Sequence, residues 1–164
     1  MPTYSARMRR ILLTGMSGTG KSTLVAALAA RGHKAVDTDY DGWSEWTDVD
    51  GERDWVWRED RMAELLSTED ADVLFVSGTS VNQGTFYDRF DHVVLLSAPA
   101  GVIVGRLATR TTNAYGKGPG ELERVLGHLE TVEPLLRRGA DVEIDASVPL
   151  DEVLTAVLRL AGVR

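Results

Sequence analysis

The stretch ILLTGMSGTGKSTLVAAL, residues 11–28, runs from apolar residues through three glycines into a lysine, two hydroxyl residues and a second apolar run. Gly15, Gly20, Lys21 and Ser22 fit the pattern G-x-x-x-x-G-K-[ST], which is the phosphate-binding P-loop. The apolar residues before the glycines favour a buried strand, and those after Ser22 favour a helix. The sequence therefore predicts a strand, a phosphate-binding loop and a helix, in this order.

Each part of the motif has a physical role in holding a nucleotide. Glycine lets backbone N–H groups approach phosphate oxygens closely, and the helix N-terminus adds a partial positive charge. Lys21 would reach the β- and γ-phosphates, and the Ser22 hydroxyl would bind Mg²⁺. The alternative is a glycine-rich turn without a ligand, but both the motif and its context are satisfied. The expected nucleotide contacts are Gly15, Ser17, Gly18, Thr19, Gly20, Lys21, Ser22 and Thr23.

The composition indicates a single globular domain that spans residues 1–164. The net charge of −7 disfavours a broad nucleic-acid or anionic-membrane surface. The absence of cysteine excludes disulfides and thiol nucleophiles. Neither a signal peptide nor a membrane-spanning run is recognisable, so we expect a cytoplasmic protein; the oligomeric state is not indicated.

Strand-like and helix-like segments alternate along the chain. This alternation predicts a three-layer α/β sandwich, with a five-stranded parallel sheet between helices. Ligands of such sheets bind beyond the carboxyl ends of the strands. Strands are expected near residues 9–14, 34–38, 72–77, 92–97 and 141–145, and helices near residues 21–31, 53–67, 81–89, 99–110, 119–138 and 149–161.

Two carboxylates follow the second predicted strand, in the segment AVDTDYDGW. Asp37 and Asp39 are two residues apart, so in an extended chain their side chains point the same way. One could order Mg²⁺ through its waters, while the other accepts a proton from an attacking hydroxyl. The alternative is that they only shape a turn. The nearby P-loop favours the functional interpretation.

The motifs GMSGTGKST and DTD together resemble the P-loop small-molecule kinases, and shikimate kinase in particular. The resemblance covers most of the chain. It implies ATP-dependent phosphoryl transfer with Mg²⁺, and a parallel sheet of order 2-3-1-4-5 with a mobile lid. It also implies that Asp37 assists Mg²⁺ and that Asp39 contacts the acceptor hydroxyl.

Other segments resemble this family less sharply. The segment WRED, residues 57–60, is similar to an aromatic–arginine pair on the acceptor side, which implies acceptor contacts by Trp57 and Arg58. Residues 110–120 resemble the lid, and Arg110 would meet the phosphates on closure as a catalytic residue, with Arg106 a weaker candidate. The segment IDASVPLDEV resembles the loop that packs on adenine. The expected catalytic residues are Lys21, Asp39 and Arg110.

The departures from shikimate kinase concern the acceptor pocket. Ser77, Gly78 and Thr79 stand where the family carries a glycine triplet, and Gly78 and Thr79 remain candidates for acceptor contacts. Val132 stands where the family carries a second arginine, although a carboxylate acceptor favours a bidentate guanidinium. The resemblance therefore implies the fold of this family, and the departures imply an acceptor other than shikimate.

The expected acceptor-binding segment, about residues 39–67, is rich in aromatic residues. It contains Tyr40 and all four tryptophans, which are Trp43, Trp46, Trp55 and Trp57. Such rings beside a catalytic carboxylate could hold a ring-bearing or partly apolar acceptor. The alternative is that they cover a small core, because aromatic side chains bury much area.

Two other functions remain open from the sequence. A nucleoside or nucleotide kinase could stack a base on the aromatic segment, and a non-catalytic regulator could bind a nucleotide without turnover. A GTPase is disfavoured because no N-K-x-D segment is present. The third predicted strand, VLFVSG, lacks the aspartate of a Walker B motif, which makes Asp37 the main candidate for the metal.

Overall fold

The computed structural model describes residues 8–109 and 120–163. A hydrogen-bonded parallel sheet and an antiparallel hairpin contain all strands within these residues. The strands are β1 (Arg9–Thr14), β2 (Lys34–Asp37), β3 (Ser44–Val49), β4 (Glu52–Trp57), β5 (Val73–Ser77), β6 (His92–Ser97) and β7 (Val142–Asp145). The helices are α1 (Lys21–Ala30), α2 (Glu59–Ser67), α3 (Ala100–Thr109), α4 (Glu121–Thr131), α5 (Glu133–Gly139) and α6 (Leu150–Leu160), with a 3₁₀-helix at Gln83–Arg89.

The parallel sheet has five strands in the order β2-β5-β1-β6-β7. Numbered among themselves, these strands follow the order 2-3-1-4-5, so the expected α/β fold is confirmed. β1 lies in the middle, where Leu12 is level with Val76 of β5 and Val93 of β6. This position directs the chain after β1, which is the P-loop, to the centre of the carboxyl edge.

The sheet is buried on both faces, as the apolar runs of β1 and β5 require. On one face, Leu28 of α1 and Val157 of α6 belong to the same apolar core as Phe75 of β5. On the other face, Met62 of α2 and Phe86 of the 3₁₀-helix pack in a core that contains Leu12 of β1. The sheet is therefore the middle layer of a three-layer sandwich.

The helix expected over residues 53–67 is wrong in its first half. β3 and β4 form an antiparallel hairpin instead, and α2 begins only at Glu59. The hairpin turn is Asp50–Gly51, and both residues have positive φ, 51° and 83°. An Asp-Gly pair between alternating segments is a strong hairpin signal, because both central residues of a type I′ turn need positive φ.

The single helix expected over residues 119–138 is two helices, α4 and α5, that meet at Val132. Pro134 lies in the first turn of α5, where its missing N–H group costs no helical hydrogen bond. The proline cannot continue the hydrogen-bond ladder of α4, so the helix restarts. Among the described residues, no helix is both long and apolar enough to cross a membrane.

The hairpin is fastened to the sheet through a buried hydrogen-bond chain. The indole N–H of Trp57 donates to Thr38 Oγ1 at 3.0 Å, and the Thr38 hydroxyl donates to the Ser77 carbonyl at 2.8 Å. Asn82 also pairs with the backbone of Trp57, accepting from its N–H at 3.1 Å and donating to its carbonyl at 2.9 Å. We call Trp57, Thr38 and Ser77 the anchor chain.

Gly78 is the residue that makes room for the anchor chain. A Cβ atom at Gly78 would lie 2.0 Å from Thr38 Oγ1 and 3.2 Å from Trp57 Nε1. The backbone cannot retreat easily, because the Gly78 N–H donates to the Leu13 carbonyl at 3.1 Å. A side chain at this position would therefore separate the hairpin from the sheet.

Gly78→Ala should destabilise the protein by about 1–3 kcal/mol, the usual cost of overpacking a core. Gly84→Ala is the matched control, because a Cβ atom at Gly84 meets nothing within 4 Å. Urea unfolding of both variants measures the difference. Equal unfolding midpoints for the two variants would show that the contact at Gly78 does not constrain the fold.

Candidate functional site

The P-loop turns sharply between β1 and α1. Gly18 and Gly20 have φ angles of 86° and 89°, in the left-handed region that favours glycine. A Cβ atom at Gly15 would lie 2.4 Å from the Leu96 carbonyl, so this position also requires glycine. The glycines of the motif therefore have a structural reason in this chain.

Lys21 places a positive charge inside the loop. Its ammonium group donates to the Gly15 carbonyl at 2.6 Å and to the Met16 carbonyl at 3.0 Å. Thr19 is 3% exposed, and its hydroxyl donates to the same Met16 carbonyl at 2.8 Å. The Thr19 side chain thus stabilises the loop internally, while Lys21 supplies its charge.

The P-loop forms one wall of a cleft of about 410 Å³. Every predicted nucleotide contact from Ser17 to Thr23 lines the cleft. Gly15 lies at the base of the loop and does not line the cleft. The other wall is apolar and comes from the segment that resembles an adenine-binding loop; its lining residues are Ala146, Val148, Leu150 and Val153. A charged wall facing an apolar wall fits a nucleotide, whose phosphates and base need these two environments.

The two predicted metal ligands lie in direct contact. The Ser22 hydroxyl donates to Asp37 Oδ2 at 2.7 Å, which joins the start of α1 to the end of β2. Among residues 8–109 and 120–163, no three His, Asp or Glu side chains are grouped to hold a metal by themselves. Hydroxyl and carboxylate oxygens suit Mg²⁺, which commonly takes its remaining ligands from water and phosphate.

Asp39 lines the same cleft, and the hairpin holds it in place. The indole N–H of Trp55 donates to Asp39 Oδ1 at 3.1 Å. The Asp39 N–H donates to Asp37 Oδ1 at 3.1 Å, so the two carboxylates are linked through the backbone. The structure therefore brings Lys21, Ser22, Asp37 and Asp39 together at one edge of the sheet.

Two residues expected at the acceptor instead support the scaffold. Trp57 is 2% exposed, and its indole N–H is bonded within the anchor chain. Gly78 is buried against the same chain. These positions correct the expectation that Trp57 and Gly78 contact the acceptor, because neither offers a surface to the cleft.

Thr79 also has a different partner from the expected one. Its hydroxyl donates to the Gly15 carbonyl at 2.6 Å and lies 3.3 Å from the Gly15 N–H, so it braces the start of the P-loop. The hydroxyl groups of Thr79 and Thr14 lie 3.1 Å apart, and Gln83 Nε2 donates to Thr14 Oγ1 at 3.1 Å, so these residues form one hydrogen-bonded network. Arg58 is partly exposed, with its Nε 3.9 Å from a carboxylate oxygen of Glu45, and it remains an acceptor candidate.

A family model described as an AAA domain matches residues 11–127, well over half of the chain. The chain belongs to this family. The matched region contains the P-loop, both aspartates and the hairpin. A comparison with curated proteins finds no match.

Several solved kinase structures share the fold of this AAA-domain chain. A shikimate kinase from Acinetobacter baumannii in complex with shikimate is 21% identical, with 93% of this chain and 92% of that one covered and a TM-score of 0.64. A shikimate kinase from Bacteroides thetaiotaomicron is also 21% identical, with coverages of 95% and 99% and a TM-score of 0.64. A gluconokinase from Sinorhizobium meliloti 1021 is 19% identical, with both coverages 96% and a TM-score of 0.63. These likenesses establish the α/β P-loop fold of the shikimate kinase type.

Arg106 is more closely tied to the cleft than the sequence indicates. It lines the cleft from α3, and its guanidinium donates to the Gly18 carbonyl at 3.3 Å and to the Ala146 carbonyl. It thus connects the P-loop wall to the apolar wall. Arg110, the expected lid arginine, lies outside the described residues, as do residues 110–119 of the expected lid, so both stay sequence-based predictions.

Lys21→Ala should weaken nucleotide binding by about 10-fold to 100-fold, because a hydrogen bond to a charged group contributes roughly 1.5–3 kcal/mol. Lys34→Ala is the control, since Lys34 pairs with Asp70 on the surface at 2.6 Å. Isothermal titration with ATP measures both affinities. Unchanged affinity in Lys21→Ala would contradict the assignment of the loop to phosphate.

Proposed function

We propose that this protein is an ATP-dependent kinase that transfers a phosphoryl group to a hydroxyl of a small molecule other than shikimate. One observation carries the proposal. Asp39, whose Oδ1 is held by Trp55, faces the same cleft as the P-loop lysine Lys21. A carboxylate in this position can accept the proton of an attacking hydroxyl, which is the group that phosphoryl transfer requires besides the phosphate site.

The residues of the cleft suit ATP and Mg²⁺ as cofactors. The P-loop and Lys21 would hold the phosphates, the apolar wall around Val148 would take the base, and Ser22 with Asp37 would hold the metal. When bound, Mg²⁺ neutralises charge on the phosphate oxygens. The short contact between Ser22 and Asp37 supports this assignment, because both oxygen ligands are already adjacent.

Asp37 and Asp39 would divide the work because their surroundings differ. Asp37 is bonded toward the P-loop through Ser22, whereas Asp39 is bonded toward the hairpin through Trp55. The hairpin therefore sets the direction of the Asp39 carboxylate. We assign Asp39 Oδ2 to the acceptor hydroxyl and Arg58 to the acceptor side of the segment 39–67.

The acceptor side does not favour shikimate. Val132, at the position of the second arginine, is partly buried and packs with the apolar cluster of Met16, Leu95 and Leu136. The glycine-triplet position is occupied by Ser77, Gly78 and Thr79, which serve the anchor chain and the P-loop. The described positions that correspond to the arginine pair therefore do not supply two arginines for a carboxylate. The solved structures that share this fold include a shikimate kinase and a gluconokinase, which supports a small hydroxylated acceptor.

Asp39→Asn should lower the rate of acceptor-dependent ADP release at least about 100-fold, the usual contribution of general base catalysis. The affinity for ATP should stay within a factor of two, because asparagine keeps an oxygen for Trp55. Asp37→Asn should instead raise the Mg²⁺ concentration needed for half-maximal rate. Steady-state rates over a Mg²⁺ series measure both effects, and identical behaviour of the two variants would contradict the division of labour.

Shikimate should be a poor acceptor, because a single partly exposed arginine replaces the expected pair around its carboxylate. Coupled assays with the purified protein and ATP measure ADP release with and without shikimate. A rate with shikimate close to the rate with the best acceptor of a hydroxylated-metabolite panel would refute this prediction. ADP release that no acceptor accelerates would instead favour a regulator over a kinase.

A further inference from the structure

The hairpin presents one face toward the cleft and arranges its aromatic residues along it. In the β3–β4 register, Ser44 is opposite Trp57, and Trp46 is opposite Trp55. Directly opposed residues share a face, so this face passes from the buried pair Ser44–Trp57 outward to Trp46–Trp55. The indole of Trp55 reaches Asp39, which identifies this face as the one beside the proposed acceptor hydroxyl.

The outer pair offers an open aromatic surface. The rings of Trp46 and Trp55 lie 5.2 Å apart with an interplanar angle of 57°, and Trp46 is 58% exposed. Tyr40, which lines the cleft, is 51% exposed. Of the five large apolar side chains exposed in the described part of the chain, Tyr40, Trp46 and Leu150 lie along the cleft and its hairpin. The exposed ring of Trp46, packed on Trp55 next to the cleft residue Asp39, is an apolar surface beside the site, and such surfaces mark ligand contacts.

The chain segment that carries this surface has a large excess of acidic residues. Residues 39–60 contain nine acidic and two basic side chains, a balance of −7, and the whole chain has the same net charge of −7. The β3–β4 register places Glu45, Glu52 and Asp54 on the opposite face of the hairpin. Asp48 and Arg53 share the aromatic face, and Asp39 lies beside Trp55. The net negative charge of residues 39–60 as a whole attracts cations and repels anions.

The two basic residues within residues 39–60 leave the net charge of this segment negative. Arg58 lies near Glu45, with 3.9 Å between Nε and the carboxylate oxygen. The guanidinium carbon of Arg53 lies 5.9 Å from the centroid of the Trp46 ring. This distance is at the outer limit of a cation–π contact, so Arg53 places a positive charge beside the Trp46 ring, with Asp48 directly opposite Arg53 in the hairpin.

We propose that Trp46 and Trp55 form the platform for an acceptor that combines a ring with a protonated amine, of the amino-sugar or aminocyclitol class. The inference rests on the proposed function and names its substrate class. Trp46 covers the apolar face of the ring, the acidic field selects the amine, and Trp55 orients Asp39 toward one ring hydroxyl. Trp46 is a specificity-determining residue and Trp55 is a positioning residue in this arrangement.

Three sugars with one ring and different charges test the class: glucosamine, glucose and glucuronate. Binding is measured by saturation-transfer NMR titration in the presence of Mg²⁺ and a non-hydrolysable ATP analogue. Glucosamine should bind at least fivefold more tightly than glucuronate, with glucose between them. Equal affinities, a reversed order, or no binding of any of the three would overturn the inference.

Variants at Trp46 test the platform itself. Trp46→Ala should weaken glucosamine binding at least fivefold, and Trp46→Phe should restore most of it, while the affinity for the ATP analogue stays unchanged in both. Leu135→Ala is the matched control, because Leu135 is 59% exposed on α5 and its loss should leave glucosamine binding unaltered. Equal glucosamine affinity in Trp46→Ala and the wild type would show that Trp46 does not form part of the acceptor site.

Turnover separates this inference from the proposed function. ADP release that responds best to an anionic sugar would refute the amine-bearing class and keep the kinase. The predicted binding order without acceptor-dependent ADP release for any member of a wider panel would refute the kinase and keep the platform as a binding site.

Discussion

The hydrogen bond from the Trp57 indole to the Thr38 hydroxyl holds the rest of the site in position. The Thr38 hydroxyl accepts this bond and donates to the Ser77 carbonyl, so each of these buried polar groups has a partner. A buried polar group without a partner would cost about 1–3 kcal/mol, which makes the arrangement specific. Because Thr38 lies between Asp37 and Asp39, fixing Thr38 also fixes both carboxylates at the edge of the sheet.

Three consecutive residues, Asp37, Thr38 and Asp39, therefore contact three different parts of the site. Thr38 points to the buried anchor chain, Asp37 bonds toward the P-loop through Ser22, and Asp39 bonds toward the hairpin through Trp55. β2 ends at Asp37 and the chain turns at Thr38 and Asp39, which lets Thr38 be buried while Asp37 bonds to Ser22 and Asp39 lines the cleft. A single short segment therefore connects the phosphate site, the proposed metal ligands and the proposed acceptor site.

The sequence predicts the fold and the phosphate site well, and the acceptor side only in part. The P-loop is a local motif, and the parallel strands are apolar runs, so neither depends on distant contacts. The expectation of a helix from residue 53 is wrong although the local signals favour the hairpin: Trp55, Val56 and Trp57 are strand-forming residues, and Asp50–Gly51 indicates a turn. The structural roles of Trp57, Gly78, Thr79 and Arg106 depend on partners distant in sequence, between 19 and 88 residues away. Such contacts leave no periodic signal in one sequence.

Hydrogen–deuterium exchange of Trp57→Phe tests most directly whether the anchor chain positions the hairpin. The variant keeps an aromatic ring in the core but removes the indole N–H, whose hydrogen bond contributes about 1 kcal/mol. Exchange should be about fivefold faster at the backbone amides of β3 and β4, with α6 on the opposite face of the sheet unchanged. Identical exchange of the hairpin amides in the variant and the wild type would contradict this prediction.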